Sequence, residues 1–450
     1  MGNETGRQIR LNFHANSAGT HPLAWRKPYA RRDDWFGVGY YQELARIAER
    51  GLFDAIFFAD MLALQGGARR APVLDPVVIG TAIAAVTERI GIVASASTTF
   101  NEPYNIARQF STLDHVSNGR AGWNVVTSYL ADAALNFGSA QLPSRGNRYD
   151  RAGEFVDVVK ALWDSWDYAA LQRPKDTALR QPRPINHAGP HFAVRGPFQN
   201  PRTPQQRPII FQAGGSDEGR ALAARHADGI FSAALTVPAA QSYYRDIKAR
   251  ASTFGRDPDS IKVLPGFYVY LGATRADAER VRDALEREVD LGQQVTQLAQ
   301  RLGVGPEALD LDQEVPETVL ERAIGLSPSR GHIDALVDLL RRDRLSVREF
   351  LARQPVNGPH RVIVGTPQDV ADSLEEWFVA GAADGFNVGN MAPDDLTLFV
   401  EEVVPILQKR GLYRTRYAGT TLRDHYFGPA PRRMNAEDET AGRSLSSVAP

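Results

Sequence analysis

PIIFQAGGSDEGRALAARHADGIFSA, residues 208–233, is the stretch that decides the fold. It opens on a short apolar run of strand length at 208–212. Ala213-Gly214-Gly215 then turns the chain, and Ser216 opens a helical pattern that runs to residue 226. A second apolar run, GIFS at 229–232, follows after two residues. Strand, tight turn, helix and a second apolar strand make one β/α/β unit, whose strands are parallel.

Working outward, the unit recurs. Upstream, strand-type runs at 8–14, 53–58, 90–96 and 121–126 alternate with helical spacing at 38–50, 75–88, 103–116 and 151–166. Downstream come a helix at 238–253, a strand at 261–271, a helix at 366–380, a strand at 384–388 and a last helix at 394–409. That places strands near residues 8, 53, 90, 121, 208, 229, 262 and 385. Eight such units predict an α/β fold, the closed (β/α)8 TIM barrel, which takes about 250 residues before insertions. The rival is an open doubly wound sheet. It needs a glycine fingerprint after an early strand, and Gly37 and Gly39 offer only GxG with no strand before it. The reading is one barrel domain over 1–425 with insertions at about 175–206 and 275–360. The first insertion is rich in Pro and Arg, with a hairpin pattern around 191–194. The second holds a long polar helix at 275–302 and further helical pieces, a length suited to a lid. The polar tail at 426–450 has the composition of a flexible, disordered segment.

Composition narrows the function. Lys and Arg number 52 and Asp and Glu 53, so no global basic field draws nucleic acid or anionic lipid. Cysteine is absent, which removes disulfides, thiolate nucleophiles and Cys-ligated metal. No HExxH or comparable spacing appears, and the expectation is no metal. The longest clean apolar run, 77–86, is too short to span a bilayer, and the polar N-terminus lacks a signal-peptide core. These features predict a soluble cytoplasmic enzyme with no membrane or nucleic-acid partner.

In a barrel, chemistry sits where strands end. Asp60 follows the second strand, where a carboxylate faces the mouth or caps a helix. Ser97 and Thr99 follow the third and share a face by period two. Asn124, with Trp123, Thr127 and Ser128, ends the fourth, and its amide offers a ring both donor and acceptor. Arg145, Arg148 and Tyr149 form the next polar cluster, suited to an anion or to capping a helix. Gly214, Gly215 and Ser216 have the composition of a phosphate cradle at a helix N-terminus. The same three residues also suit a tight turn with a serine cap.

Several segments together resemble a known family. They are STTFNEPYNIARQFSTLDHVSNGRAGWNVVTS (97–128), RYDRAGEF (148–155), LWDSW (162–166), the QAGGS turn, GAADGFNV (381–388) and TLRDH (421–425). They are similar to the bacterial luciferase-like flavin monooxygenases, in the branch of nitrilotriacetate monooxygenase, pristinamycin IIA synthase and dibenzothiophene-sulfone monooxygenase. The resemblance implies FMN at the barrel mouth, reduced by a separate NAD(P)H:flavin reductase. It implies that dioxygen adds to the reduced flavin and that a flavin hydroperoxide passes one oxygen to a small-molecule substrate. It also implies a homo-oligomer, and a non-proline cis peptide within 94–99. By position, Asp60, Ser97 and Tyr149 fall on flavin-contacting places, and Ser216 on the phosphate contact with Gly214 and Gly215 beside it. Thr99 and Asn124 join them from their strand-end placement. Arg145 stands where relatives often carry His, and it is counted with the cofactor contacts without a proton to give up. His21 matches a substrate-pocket histidine of the sulfone-oxidising members, and Arg301 stands for a later one. The alternatives are a deazaflavin-dependent dehydrogenase on the same barrel and a non-catalytic flavin-binding protein.

Overall fold

Ala55, Ile56, Phe57 and Phe58 are all buried, as a strand must be when it is packed on both faces. The same holds for most of the barrel strands. The structure, a computed structural model, describes residues 6–16, 23–24, 30–64, 73–166, 181–288, 290–326, 330–353 and 360–429. Its barrel strands are β1 (Arg10–Ala15), β2 (Ala55–Phe58), β3 (Gly91–Ser97), β4 (Ala121–Val126), β5 (Ile209–Gln212), β6 (Gly229–Ser232), β7 (Lys262–Leu271) and β8 (Gly385–Gly389). All are parallel, and the ring closes where β6 meets β7 and β8 meets β1, with Gly229 opposite Lys262 and Arg10 opposite Gly385. The eight strands lie where the sequence puts them.

A helix follows each strand. They are α1 (Val38–Arg50), α2 (Pro76–Ala84), α3 (Pro103–Val116), α4 (Arg145–Trp163), α5 (Asp217–His226), α6 (Val237–Thr253) and α7 (Pro367–Val379). The last, α8, is Pro393–Leu398 continued by a π turn at Phe399–Val403 and by Val404–Lys409. Local chemistry starts them. Asp75 caps α2 with Pro76 at its first position, Ser216 caps α5, and Thr366 with Asp369 forms a capping box on α7.

The lower half of the barrel interior is mostly apolar. Phe57, Phe211, Phe231 and Leu264 pack there against Leu422 and Tyr426 from the C-terminal helix Leu422–Phe427. Gly91 and Gly122 make room for that plug, since a Cβ on either would press on Leu422 at 2.3 and 3.2 Å. The tail therefore begins later than expected. Tyr426 is fully buried and donates to Asn12 Oδ1 at 2.7 Å, while residues 430–450 lie outside the described residues.

Three further expectations change. The long helix at 275–302 is two, Arg275–Glu286 and Leu291–Leu302, because Asp290 caps a new start by accepting from Gln293 N–H at 2.8 Å. With Glu317–Leu326, Arg330–Asp343 and Val347–Arg353, the second of these builds a separate core around Leu298, Leu302, Leu320, Val337 and Phe350. The chain returns through an unforeseen ninth strand, Arg361–Gly365, which lies parallel on the upper half of β7. Finally, every peptide within 94–99 is trans, and the cis peptide among the described residues is Gly196–Pro197. The β3–β4 ladder runs unbroken from Ile92 to Ser97 and continues through Thr98 N–H to Val126 O at 2.9 Å, which holds the chain in regular strand geometry. In the first insertion the hairpin forms, with His187–Ala188 against Ala193–Val194; residues 175–180 lie outside the described residues. No helix among the described residues is long and apolar enough to cross a membrane.

Candidate active site

Above the apolar plug, side chains at the strand ends turn polar, and a cavity of about 370 Å³ opens at the C-terminal mouth of the barrel. Its floor is made of inward-facing residues from successive strands. These are His14 on β1, Phe57 on β2, Ser95 on β3, Asn124 on β4, Phe231 on β6 and Tyr268 on β7. Asn124 Nδ2 donates to Ser95 Oγ at 2.7 Å, and the Ser95 hydroxyl donates to Phe58 O at 2.8 Å. This chain fixes the Asn124 amide.

One side of the cavity gathers backbone N–H groups, hydroxyls and a guanidinium. Gly214, Gly215 and Ser216 leave β5 and enter α5, and all three line the wall. Ser216 Oγ accepts from Gly219 N–H at 3.1 Å, so the serine caps the helix as a tight turn with a serine cap requires. Capping uses a lone pair, and the hydroxyl proton reaches the Glu218 carboxylate beside it, from which it can rotate to another acceptor. No side chain fits at Gly214, where a Cβ would lie 2.6 Å from Gln212 Nε2 and 2.8 Å from Gly219 Cα. At Gly219 a Cβ would meet the Tyr149 hydroxyl at 3.1 Å, which puts that hydroxyl against the same turn. Tyr243 OH donates to Gly214 O at 2.7 Å and pins the loop from behind.

Arg148, also on this wall, is only 6% exposed. Its Nη1 donates to the Pro143 carbonyl, while its Nε has no partner among the described residues. Burial lowers its pKa, with Tyr149 opposing and Arg145 adding to the fall. A buried guanidinium with a carbonyl for a partner is half of an ion pair. Arg145 itself lies off the wall and pairs with Glu218 at 3.3 Å. Burial pushes the Glu218 carboxyl up, but its own backbone N–H, the Ser216 hydroxyl and Arg145 outweigh that and hold it below the usual range.

Asp60 lies on the wall at the end of β2, and burial raises its pKa to about 6 against the Met61 N–H. Ser97 and Thr99 lie behind the wall. Ser97 Oγ bonds Ser128 Oγ at 2.8 Å, and the Thr99 hydroxyl donates to Thr127 O at 2.7 Å, so the pair braces the loop that does line the cavity. Asp60, Asn124, Tyr149, Gly214, Gly215 and Ser216 thus come together, with Ser97, Thr99 and Arg145 one layer back. His21 lies outside the described residues. Among the described residues no group of three His, Asp or Glu side chains is placed to hold a metal ion.

The opposite side carries residues the strand-end search passes over. His360, next to the strand Arg361–Gly365, stacks on Phe231 at 5.0 Å and meets Tyr268 edge-on at 5.1 Å. It fits because Gly266 faces it, since a Cβ there would lie 2.3 Å from His360 Nδ1. A glycine inside a strand pattern marks a close approach, and that was the available signal. His14 lies edge-on to Phe231 at 5.2 Å and stacked over Tyr268 at 6.4 Å. Arg301, in the last turn of Leu291–Leu302, is solvent-exposed, yet surrounding atoms desolvate it enough to lower its pKa, with the Tyr129 and Tyr268 hydroxyls opposing.

Comparison with known proteins gives one answer. Residues 14–384 match the luciferase-like monooxygenase family. The chain is 40% identical to N-acetyl-S-(2-succino)cysteine monooxygenase of Bacillus subtilis (strain 168), over 93% of this chain and 96% of that one. It is 39% identical to nitrilotriacetate monooxygenase component A of Aminobacter aminovorans, over 96% and 99% of the two chains. The solved structure of the EDTA monooxygenase from Chelativorans sp. BNC1 superposes with a TM-score of 0.79 at 35% identity, covering 94% of this chain and 99% of that one. The chain belongs to the luciferase-like monooxygenase family and is an oxidoreductase, a monooxygenase.

Proposed function

We propose that this luciferase-like monooxygenase works with reduced FMN, handed over in the cytoplasm by a separate NAD(P)H:flavin reductase, and inserts one atom of dioxygen into a small organic substrate. The anion pole of the cavity carries the reading. The α5 N-terminus, the Gly214–Gly215 backbone, the hydroxyls of Ser216 and Tyr149 and the buried Arg148 guanidinium converge as a phosphate ester requires. The printed description of one relative as a component A supports the two-part system. The reductase and a homo-oligomeric assembly otherwise rest on family membership. The deazaflavin and non-catalytic alternatives are not favoured, because relatives at 39–40% identity over nearly the whole chain are monooxygenases.

When bound, reduced FMN would supply the two electrons and two protons that activate dioxygen, one atom of which goes to the substrate while the other leaves as water. The chain's residues bind, orient and keep water out. Arg148 gains through a phosphate the counter-charge its site lacks. Arg145 neutralises Glu218, which would otherwise repel that phosphate from beside Ser216. Asn124 and Asp60 offer the ring a fixed amide and a carboxyl that takes up a proton near pH 6. Ser97 and Thr99 hold the loop at Thr127 and Ser128 in place. The test is a panel of candidate substrates given enzymatically reduced FMN in air and read by mass spectrometry for one added oxygen. Product with reduced FMN, and none with FMN kept oxidised, is the expected result. Hydride transfer to a deazaflavin with no oxygenated product under any condition overturns the reading.

A further inference from the structure

The floor of the cavity carries a hydrogen-bond chain that runs in one direction. Ser95 and Asn124 stand opposite each other on β3 and β4, and Phe58 ends β2. The Phe58 carbonyl can only accept, so the Ser95 hydroxyl spends its one proton there, at 2.8 Å. Toward its neighbour the Ser95 oxygen is then an acceptor, and the amide nitrogen of Asn124 donates to it at 2.7 Å. This fixes which way the amide is turned, because an amide oxygen facing Ser95 would meet an oxygen with no hydrogen left to offer. Asn124 Oδ1 is what remains. The residue lines the cavity and is only 3% exposed, and this oxygen has no hydrogen-bond partner among the described residues. A buried amide oxygen left unpaired costs stability, and a ligand that brings a hydrogen to it recovers that cost.

The cavity is thus sorted by polarity. Around β5, α4 and α5 it offers donors, namely the N–H groups of the turn, the Tyr149 hydroxyl and Arg148. At Asn124, on the strand next to β5, it offers a fixed acceptor. A flavin ring answers such an acceptor in two ways. Its imide N–H is present in both oxidation states. The free nitrogen of its central ring is an acceptor in the oxidised form and carries a hydrogen once two electrons have been added. An amide oxygen held against that nitrogen repels the oxidised ring and bonds the reduced one. The side chain that ends in the phosphate leaves from the other nitrogen of the central ring. With the phosphate on the α5 turn, the central ring is the part that the neighbouring strand reaches first, and the imide falls farther round, toward Asp60 at the end of β2.

We infer that Asn124 selects the reduced form of the flavin, its oriented amide oxygen accepting from the central-ring N–H that only reduced FMN carries, with Ser95 as the residue that holds the amide in position. The inference rests on the flavin reading of the cavity and adds to it the oxidation state that the site prefers.

The experiment measures the binding of oxidised and of reduced FMN to the full chain without air, together with the midpoint potential of the bound flavin and the melting temperature. The proteins are the unaltered chain, Asn124→Leu and Ser95→Ala. The unaltered chain should bind reduced FMN about tenfold tighter than oxidised FMN, or more, which raises the potential of the bound flavin above that of free FMN by about 30 mV for each factor of ten. Asn124→Leu, close in size, should weaken reduced FMN by about tenfold and leave oxidised FMN unchanged or tighter, so that the potential falls. Ser95→Ala keeps the amide but frees it to turn its nitrogen to the ring, and should move the potential the same way by less. Should Asn124→Leu fail to fold, Ser95→Ala carries the test. No preference in the unaltered chain, equal losses of both forms in Asn124→Leu, or one potential shared by every folded protein overturns the inference and leaves FMN as the cofactor. Failure of FMN to bind in either state overturns the flavin reading and the inference with it.

Discussion

Replacing Arg148 by Met separates a phosphate-binding guanidinium from a structural one, because the two roles predict opposite effects on the free protein. The guanidinium is nearly enclosed, donates to the neutral Pro143 carbonyl and has burial as the main influence on its charge. Met has nearly the same length and fills the space without a charge to desolvate, so the flavin-free protein should melt at the same temperature or higher. FMN binding should suffer. A hydrogen bond to a charged group contributes about 1.5–3 kcal/mol, so losing one weakens FMN by roughly 10- to 150-fold. Riboflavin lacks the phosphate and should bind Arg148→Met within about twofold of the unaltered chain. Titrating both flavins, followed by flavin fluorescence, gives the comparison directly. Equal losses for FMN and riboflavin, or a fall in the melting temperature without flavin, would refute the assignment and make Arg148 a strut for the Pro143 loop.

The other predictions test separate parts of the construction. Ser216→Ala should cost about 0.5–2 kcal/mol of stability through the lost cap on α5, and should weaken FMN more than riboflavin; a loss of stability with no change in FMN affinity would leave Ser216 as a cap alone. Gly266→Ala drives a Cβ into His360 and Phe231, both rigid rings, and should destabilise by about 1–3 kcal/mol while sparing FMN binding, as melting and titration will show. Leu422→Ala should cost about 2–5 kcal/mol in urea unfolding, because Leu422 plugs the barrel floor; a change near zero would return this helix to the tail. Asp60 has a folded pKa of about 6, above its ordinary 3.8, so its stabilisation is present below the lower value and lost as pH rises through the higher one. Asp60→Asn should therefore melt higher than the unaltered flavin-free chain at about pH 7, with the gap closing by about pH 4, and a gap that is constant with pH would contradict the burial argument.

The barrel was legible because its signal is local and repeated. Eight two-faced apolar runs separated by helical spacing leave few topologies, and strand ends then name a mouth. Asp60, Asn124, Tyr149 and the Gly214–Ser216 turn were found that way. The errors have local causes too. Reading the third strand's face with period two gave Ser97 and Thr99, but the ladder continues past Ser97, so the cavity is met two residues earlier at Ser95. Starting the helix at 151 left Arg145, Arg148 and Tyr149 as one undivided loop cluster. With α4 beginning at Arg145 behind its Ser144 cap, Arg145 falls in the exposed first turn beside Glu218, and Arg148, a turn later, faces in.

The side of the cavity made by His14, Tyr268 and His360 was less legible for a different reason. Periodicity reports which way a side chain points from its own element, and nothing about which distant element it meets. His360 is placed by Gly266, ninety-four positions earlier, on a chain segment that returns from a block of helices whose core is separate from the barrel's. The same separation has a physical consequence. The proposed phosphate pole is built from β5, α4 and α5, so a change there disturbs strands that hold the barrel together. On the other side His14 and Tyr268 belong to β1 and β7, while His360 arrives on the chain that returns from a helical block packed on itself, and that contribution can be remodelled without repacking the eight strands. One fold can then keep a single cofactor site while its members, here relatives named for a succinylated cysteine, nitrilotriacetate and EDTA, differ in what they oxidise.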